Sequence, residues 1–248
     1  MSVAAAVSSE IQRIGGGFMF SREAREFSAS TGVEGFMGGY TRGRGGVLGE
    51  VDADVVSAAF GFFNPVTIRA AWEASAAVPA ATAAEGYLLA CQDFGRRKLA
   101  SFESADRLAE LLEAVVVAAD PAGVALFAGW RAMPLAADGP GRVLQLVHVL
   151  RELRGGVHLM AVRSAGLTPL QAVLVKGSPL NPGPKQAVWF GWPEPYEEVT
   201  AELTGRWERA EAITDELCDP VFAVLGADDG AELVSLVKAC DAAIFARS

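Results

Sequence analysis

Arg151, Arg154 and His158 fall within one short stretch, 150–166, of sequence LRELRGGVHLMAVRSAG. Imidazole is the side chain whose ordinary pKa lies nearest neutrality. A histidine beside guanidinium groups therefore suits proton transfer on a substrate whose anionic part the arginines hold. His158 is the expected acid–base catalyst, and Arg154 the group that positions or binds the anion. The competing structural reading has His158 hydrogen-bonded to a nearby carbonyl or to Glu152. The second histidine, His148, sits in the apolar run 147–150 and reads as a satisfied core residue. Two histidines with scattered acids do not supply metal ligands at workable spacing, so no metal is expected. GxSxG, GxxxxGK[ST] and GxGxxG are all missing. No flavin, nucleotide or other cofactor is therefore expected, and any catalysis is expected to be cofactor-independent.

The elements that must position these groups read as helices. Leu146, Val149, Leu150 and Leu153 recur at helical spacing in a helix expected over 142–154. Gly155-Gly156 is expected to stop it, because glycine enters the left-handed region without steric cost, and a second helix is expected over 157–164. Upstream, helices are expected over 4–14, 22–28 (capped by Ser21), 66–76 (opened by Asn64-Pro65), 79–100, 104–119 and 122–132. Leu108, Leu111, Leu112, Val115 and Val116 form a core stripe. The glycine-rich segment 35–46 permits close backbone approach, with Arg44 turned inward to a carboxylate or left at a pocket mouth. Downstream come a short helix over 168–175, a Pro/Gly-rich stretch over 177–191 ending in the strand-like 187–190, and helices over 196–217 and 231–245.

With 248 residues, 51% of them hydrophobic and 21% charged, the chain can build a sizeable core. The formal net charge of −9 argues against a broad phosphate-binding surface, hence against nucleic acid as the main partner. Cys91, Cys218 and Cys240 are odd in number and lack CxxC spacing, which predicts free buried thiols. No run reaches the ~18 apolar residues of a membrane span. The N-terminus has no basic residue ahead of its short apolar stretch, so a cytoplasmic protein is expected.

Gly35-Phe36, Gly39-Tyr40, Gly43-Arg44, Leu48-Gly49, Leu150-Arg151-Glu152, Arg154-Gly155, His158, Gly191-Trp192 and Ala212-Ile213-Thr214-Asp215 together resemble an uncharacterised bacterial family, common in actinobacteria, with a helix-turn-helix-like C-terminal portion. Around the site the family pattern is L-R-E-H-R-G-D-G-H, preceded by a Trp-His pair. Here Leu153 replaces one histidine, Gly156-Val157 replaces Asp-Gly, and Leu144-Gln145 occupies the Trp-His place. The resemblance implies a fold more than an activity, and a setting in bacterial specialised metabolism. The expected architecture is all-α, with a multi-helix domain over 1–166 followed by a degenerate winged helix-turn-helix-like segment over 167–248. The expected function is binding of a small molecule, with or without turnover, in a pocket lined by Phe36, Tyr40, Phe60, Phe63 and Trp130. Arg44, Arg154 and His158 would be its polar groups. The alternatives are a ligand-responsive helix-turn-helix transcription regulator and a non-catalytic scaffold. A homodimer fits any of the three.

Overall fold

The computed structural model describes residues 2–32, 35–178 and 181–246; Pro179 and Leu180 of the Pro/Gly-rich stretch lie outside them. Among the described residues every regular element is helical. α1 (Val3–Gly17) and α2 (Arg22–Ser30) open the chain, the Ser2 and Ser21 hydroxyls accepting from the N–H groups of Ala5 and Ala24, which have no partner within their helices. α3 (Phe36–Gly45), α4 (Ala53–Phe60), α5 (Pro65–Ala74), α6 (Ala80–Lys98), α7 (Ala105–Ala118) and α8 (Ala125–Arg131) follow. α9 (Gly139–Ser164) is the axis: α1, α6, α7, α8 and α12 all pack on it. α10 (Pro169–Lys176), α11 (Gly183–Trp189), α12 (Ala201–Phe222) and α13 (Gly226–Phe245) complete the fold. No helix among the described residues is long and apolar enough to cross a membrane.

α9 can be central because it is apolar nearly all round in its first half. Val143, Leu144, Leu146, Val147, Val149 and Leu150 are each at most 2% exposed, and burying one such side chain contributes roughly 1.5–3 kcal/mol. α12 and α13 close over the same core, through Cys218, Phe222, Leu233, Val237 and Ile244 against Val7, Ile11 and Ile14. Smaller clusters join α10 to the end of α9 and to α12, through Ala161, Val162, Leu167, Ala172, Leu203 and Ala210.

Two sequence expectations are corrected here. Gly155-Gly156 does not end a helix, for α9 runs through it without either glycine taking a positive φ. The reason is packing. A Cβ on Gly156 would lie 2.5 Å from Val124 Cγ1, so the missing side chain lets the segment before α8 press onto α9. That burial outweighs the roughly 1 kcal/mol per glycine that helix formation loses. The strand-like 187–190 is also helical up to Trp189, because Gly183-Pro184 starts a helix and no neighbouring strand is there to pair with it.

α10 and α11 pack against each other as a helical pair. A reciprocal capping box between Thr168 and Gln171 starts α10. At the crossing, a Cβ on Gly183 would collide with the carbonyl group of Leu174. Gly183→Ala is therefore expected to splay α10 from α11 and to cost about 2 kcal/mol or more, because a backbone oxygen cannot rotate away. Faster amide exchange confined to these two helices is the expected reading, and unchanged exchange there contradicts it.

Candidate ligand site

α2 and α3 diverge enough to leave a cleft of about 630 Å³, walled by Met19, Phe20, Ala24, Phe27 and Phe36, with Tyr40 and Tyr87 also lining it. α3 lies close to α6 because Gly43 rests on Tyr87 and Phe27, so the glycine-rich segment forms a tightly packed helix and not a phosphate loop. Phe36 stacks on Tyr40 with centroids 5.0 Å apart, and Phe60 and Phe63 flank Tyr40 at 5.6 Å each. Four of the expected pocket aromatics thus form one assembly, of which Phe36 and Tyr40 line the cleft and Phe60 and Phe63 stand behind them.

Behind the tyrosines lies a buried polar cluster. Arg44 turns inward, donating through Nε and Nη2 to the two oxygens of Glu152 at 2.9 and 2.7 Å and through Nη1 to the Tyr40 hydroxyl at 3.0 Å. Arg151 Nη1 donates to Glu152 at 3.2 Å. Burial alone would push the Glu152 carboxyl up, but the Arg44 charge and hydrogen bonds overcome it and hold the group near 2. His148 packs edge-on against Phe18 and Trp130, with Tyr87 beside them. Burial, opposed by Glu152, pushes its pKa down to about 3, so it is neutral at physiological pH. Trp130 is 1% exposed and donates Nε1–H to the Arg44 carbonyl at 3.2 Å, so it supports the cluster from behind and does not line the cleft.

The expectation of a satisfied His148 is overturned: among the described residues neither ring nitrogen has a hydrogen-bond partner, and the Glu152 carboxylate oxygen is 3.9 Å from Nδ1. The Tyr87 hydroxyl and Arg151 Nε are also buried without a partner among the described residues. An unpartnered buried polar atom costs about 1–3 kcal/mol, so these groups are held in the interior at a cost in stability. Sequence reading missed His148 and Tyr87 as site residues. The legible signal was the pairing of His148 with Glu152 four positions on, which puts both on one face of α9.

Arg154 and His158 do not join this site. Since α9 is continuous, His158 lies six positions beyond Glu152 and so about 240° round the helix from it. Arg44 and His158 therefore face different neighbours, contrary to expectation: Arg44 meets Glu152 and Tyr40, and His158 meets Thr214 and Glu211. His158 Nδ1 lies 2.9 Å from Thr214 Oγ1 and 3.3 Å from Glu211 Oε1, and its ring stacks on Phe62. Arg154 Nη2 donates to Glu211 at 3.0 Å. Together these groups tie α9 to α12. Among the described residues no group of three or more His, Cys, Asp or Glu side chains is placed to hold a metal ion. Cys91, Cys218 and Cys240 are free and buried, and burial pushes their thiols up.

The cleft is also joined to the α10–α11 pair. Trp189, at the end of α11, lies 5.5 Å from Phe36, 6.1 Å from Phe20 and 6.3 Å from Phe63, centroid to centroid. Next to it, Asn64 donates N–H to Phe190 O at 2.9 Å and Nδ2–H to Gly191 O at 2.8 Å, while Trp192 Nε1 donates to Phe62 O at 2.9 Å. A family model described as a helix-turn-helix family matches residues 4–248. The chain belongs to that helix-turn-helix family. No curated protein and no solved structure matches it. In this member of the helix-turn-helix family, α11 rests on the cleft wall and presents one cation, Lys185, to solvent.

Proposed function

We propose that this helix-turn-helix family protein is ligand-responsive: a small, mainly apolar molecule occupies the cleft between α2 and α3, and the α10–α11 unit reads its presence. Trp189 carries the reading, because Phe20 and Phe36 are at once cleft wall and the surface on which α11 rests. A molecule seated between those rings would meet different contacts if α11 shifted against Phe20 and Phe36, and only such differential contact lets a ligand shift an equilibrium. In this reading residues 1–166 bind the ligand and 167–248 supply the responding unit, with α12 and α13 packed back on the first part. The family match supports nucleic acid as the downstream partner. The single cation on α11 and the net charge of −9 favour a weak affinity with a shallow salt dependence, since few phosphates would be neutralised.

Occupancy of the cleft is tested with the neutral dye Nile red, read by its fluorescence. Ala29 is exposed and lines the cleft, so Ala29→Trp is expected to fill the cleft without disturbing the core. Dye affinity is expected to fall about tenfold or more, which corresponds to about 1.4 kcal/mol. Equal dye binding by both proteins sinks the proposal.

A further inference from the structure

We propose that the cleft between α2 and α3 selects flat, uncharged molecules built on fused aromatic rings, whose faces lie on the edges of the Phe36 and Tyr40 rings. This rests on the cleft being the ligand site, as proposed above, and adds the chemical class of the ligand.

Five of the thirteen residues that line the cleft are aromatic, in a chain that is 8% aromatic. Its polar side chains are few and are engaged with the backbone: Ser28 Oγ donates to Gly35 O at 3.3 Å, and Arg25 Nη1 donates to Phe20 O at 2.7 Å. The two tyrosines contribute ring carbon, for the Tyr40 oxygen turns inward to accept from Arg44 and the Tyr87 hydroxyl is buried.

The rings present edges. Phe36 lies between Phe20 and Tyr40, within 10° and 21° of parallel and at 5.3 and 5.0 Å, so its faces are taken. Tyr40 in turn has Phe36 stacked on it and the Arg44 guanidinium 5.5 Å from its centroid. What Phe36 and Tyr40 leave to the cleft is their hydrogen-bearing rim, which carries the positive part of the ring quadrupole. Such a rim attracts the electron-rich face of another aromatic ring, in the edge-to-face arrangement that Phe27 and Tyr87 already form on the same lining.

The shape agrees with this. A Cβ on Gly39 would lie 2.6 Å from Ser28 Cα, so α2 and α3 touch there and the cleft between them narrows to a wedge. A flat molecule enters a wedge with its faces toward the walls, whereas a rounded one of equal volume is held at the mouth. The same rims repel a cation, and Arg25, the one charged side chain of the lining among the described residues, adds to that repulsion. An ammonium group is attracted by ring faces, and those of Phe36 and Tyr40 are covered. Burial alone ranks ligands differently: a saturated skeleton carries more apolar surface than its aromatic parent, so it would bind as well or better.

The test is displacement of Nile red by 2-naphthol, by decahydro-2-naphthol and by trimethyl-2-naphthylammonium. In wild type 2-naphthol is expected to bind about fivefold or more tighter than its saturated counterpart, the scale of an edge-to-face contact, and the ammonium compound more weakly than 2-naphthol. Phe36→Leu keeps an apolar wall without the aromatic rim and is expected to bring the two alcohols within about twofold of each other. Equal or reversed ranking of the alcohols in wild type overturns the inference whatever the variant does. An ammonium compound that binds tighter than 2-naphthol also overturns it, as does a ranking that survives in a folded Phe36→Leu protein. With Nile red bound, each of these results leaves the cleft standing as a ligand site; absence of dye binding and of every competitor removes both proposals.

Discussion

Glu152→Ala is expected to destabilise the protein by about 3–5 kcal/mol, the loss typical when one partner of a buried ion pair is removed. Glu152 is 1% exposed, and both its oxygens accept from Arg44, itself buried against Phe60 and Tyr40. Without the carboxylate, Arg44 keeps its charge and has only the Tyr40 hydroxyl left to donate to. For a domain of this size the loss corresponds to a Tm lower by roughly 6–20 °C. Arg44→Met with Glu152→Met is expected to recover most of it, because well-packed apolar residues replace a buried pair at little loss. Urea unfolding of the three proteins distinguishes the cases. A Glu152→Ala protein within 1 kcal/mol of wild type would mean that the pair is not the keystone between α3 and α9.

Acid is expected to unfold the protein in two stages. His148 has a folded pKa near 3 against an ordinary value of about 6.5, so between those limits the unfolded chain binds a proton that the folded chain excludes. Stability is therefore complete above about pH 6.5 and falls as pH falls, by about 1.4 kcal/mol per unit, or about 2–3 kcal/mol by pH 4.5. Glu152 is held near 2, so below its ordinary value of about 4.5 it adds a second loss of the same sign. His158, whose pKa burial also lowers despite Glu211, acts in the same direction. His148→Leu conserves volume and removes two unpartnered nitrogens, so it is expected to flatten most of the dependence between pH 6.5 and 4.5. It should also stabilise the protein at pH 5. An unchanged slope in this variant would assign the acid sensitivity to other groups.

Most of the helices were legible because their ends carry local chemistry. Ser21 before Arg22, Asn64 before Pro65, and Thr168 with Gln171 each satisfy N–H groups that any helix start exposes. The stripe from Leu108 to Val116 is buried as its spacing requires. The inward turn of Arg44 was legible as one of two outcomes, since a guanidinium among glycines must meet a carboxylate or solvent. Its partner in space was not, because Glu152 lies 108 positions away.

The misplaced site traces to one local decision at Gly155-Gly156. Glycine is free to break a helix, and whether it does so depends on a distant neighbour, here Val124, whose approach is invisible in the local sequence. A break would have reset the helical phase and allowed His158 to turn toward Arg44. Continuity fixes it on the α12 side instead. Likewise, the apolar run around His148 predicted burial correctly, but whether a buried imidazole finds partners depends on Phe18, Tyr87 and Trp130 from three other elements.

Amide exchange across α11, with and without a saturating cleft occupant, tests most directly whether the cleft and the α10–α11 pair are coupled. If Phe20 and Phe36 carry the coupling, occupancy should change the exchange of 183–192 about tenfold or more while α13, which does not touch the cleft, stays constant. The change should vanish in Ala29→Trp. An occupant that binds the cleft and leaves 183–192 exchanging at the unliganded rate would contradict the coupling.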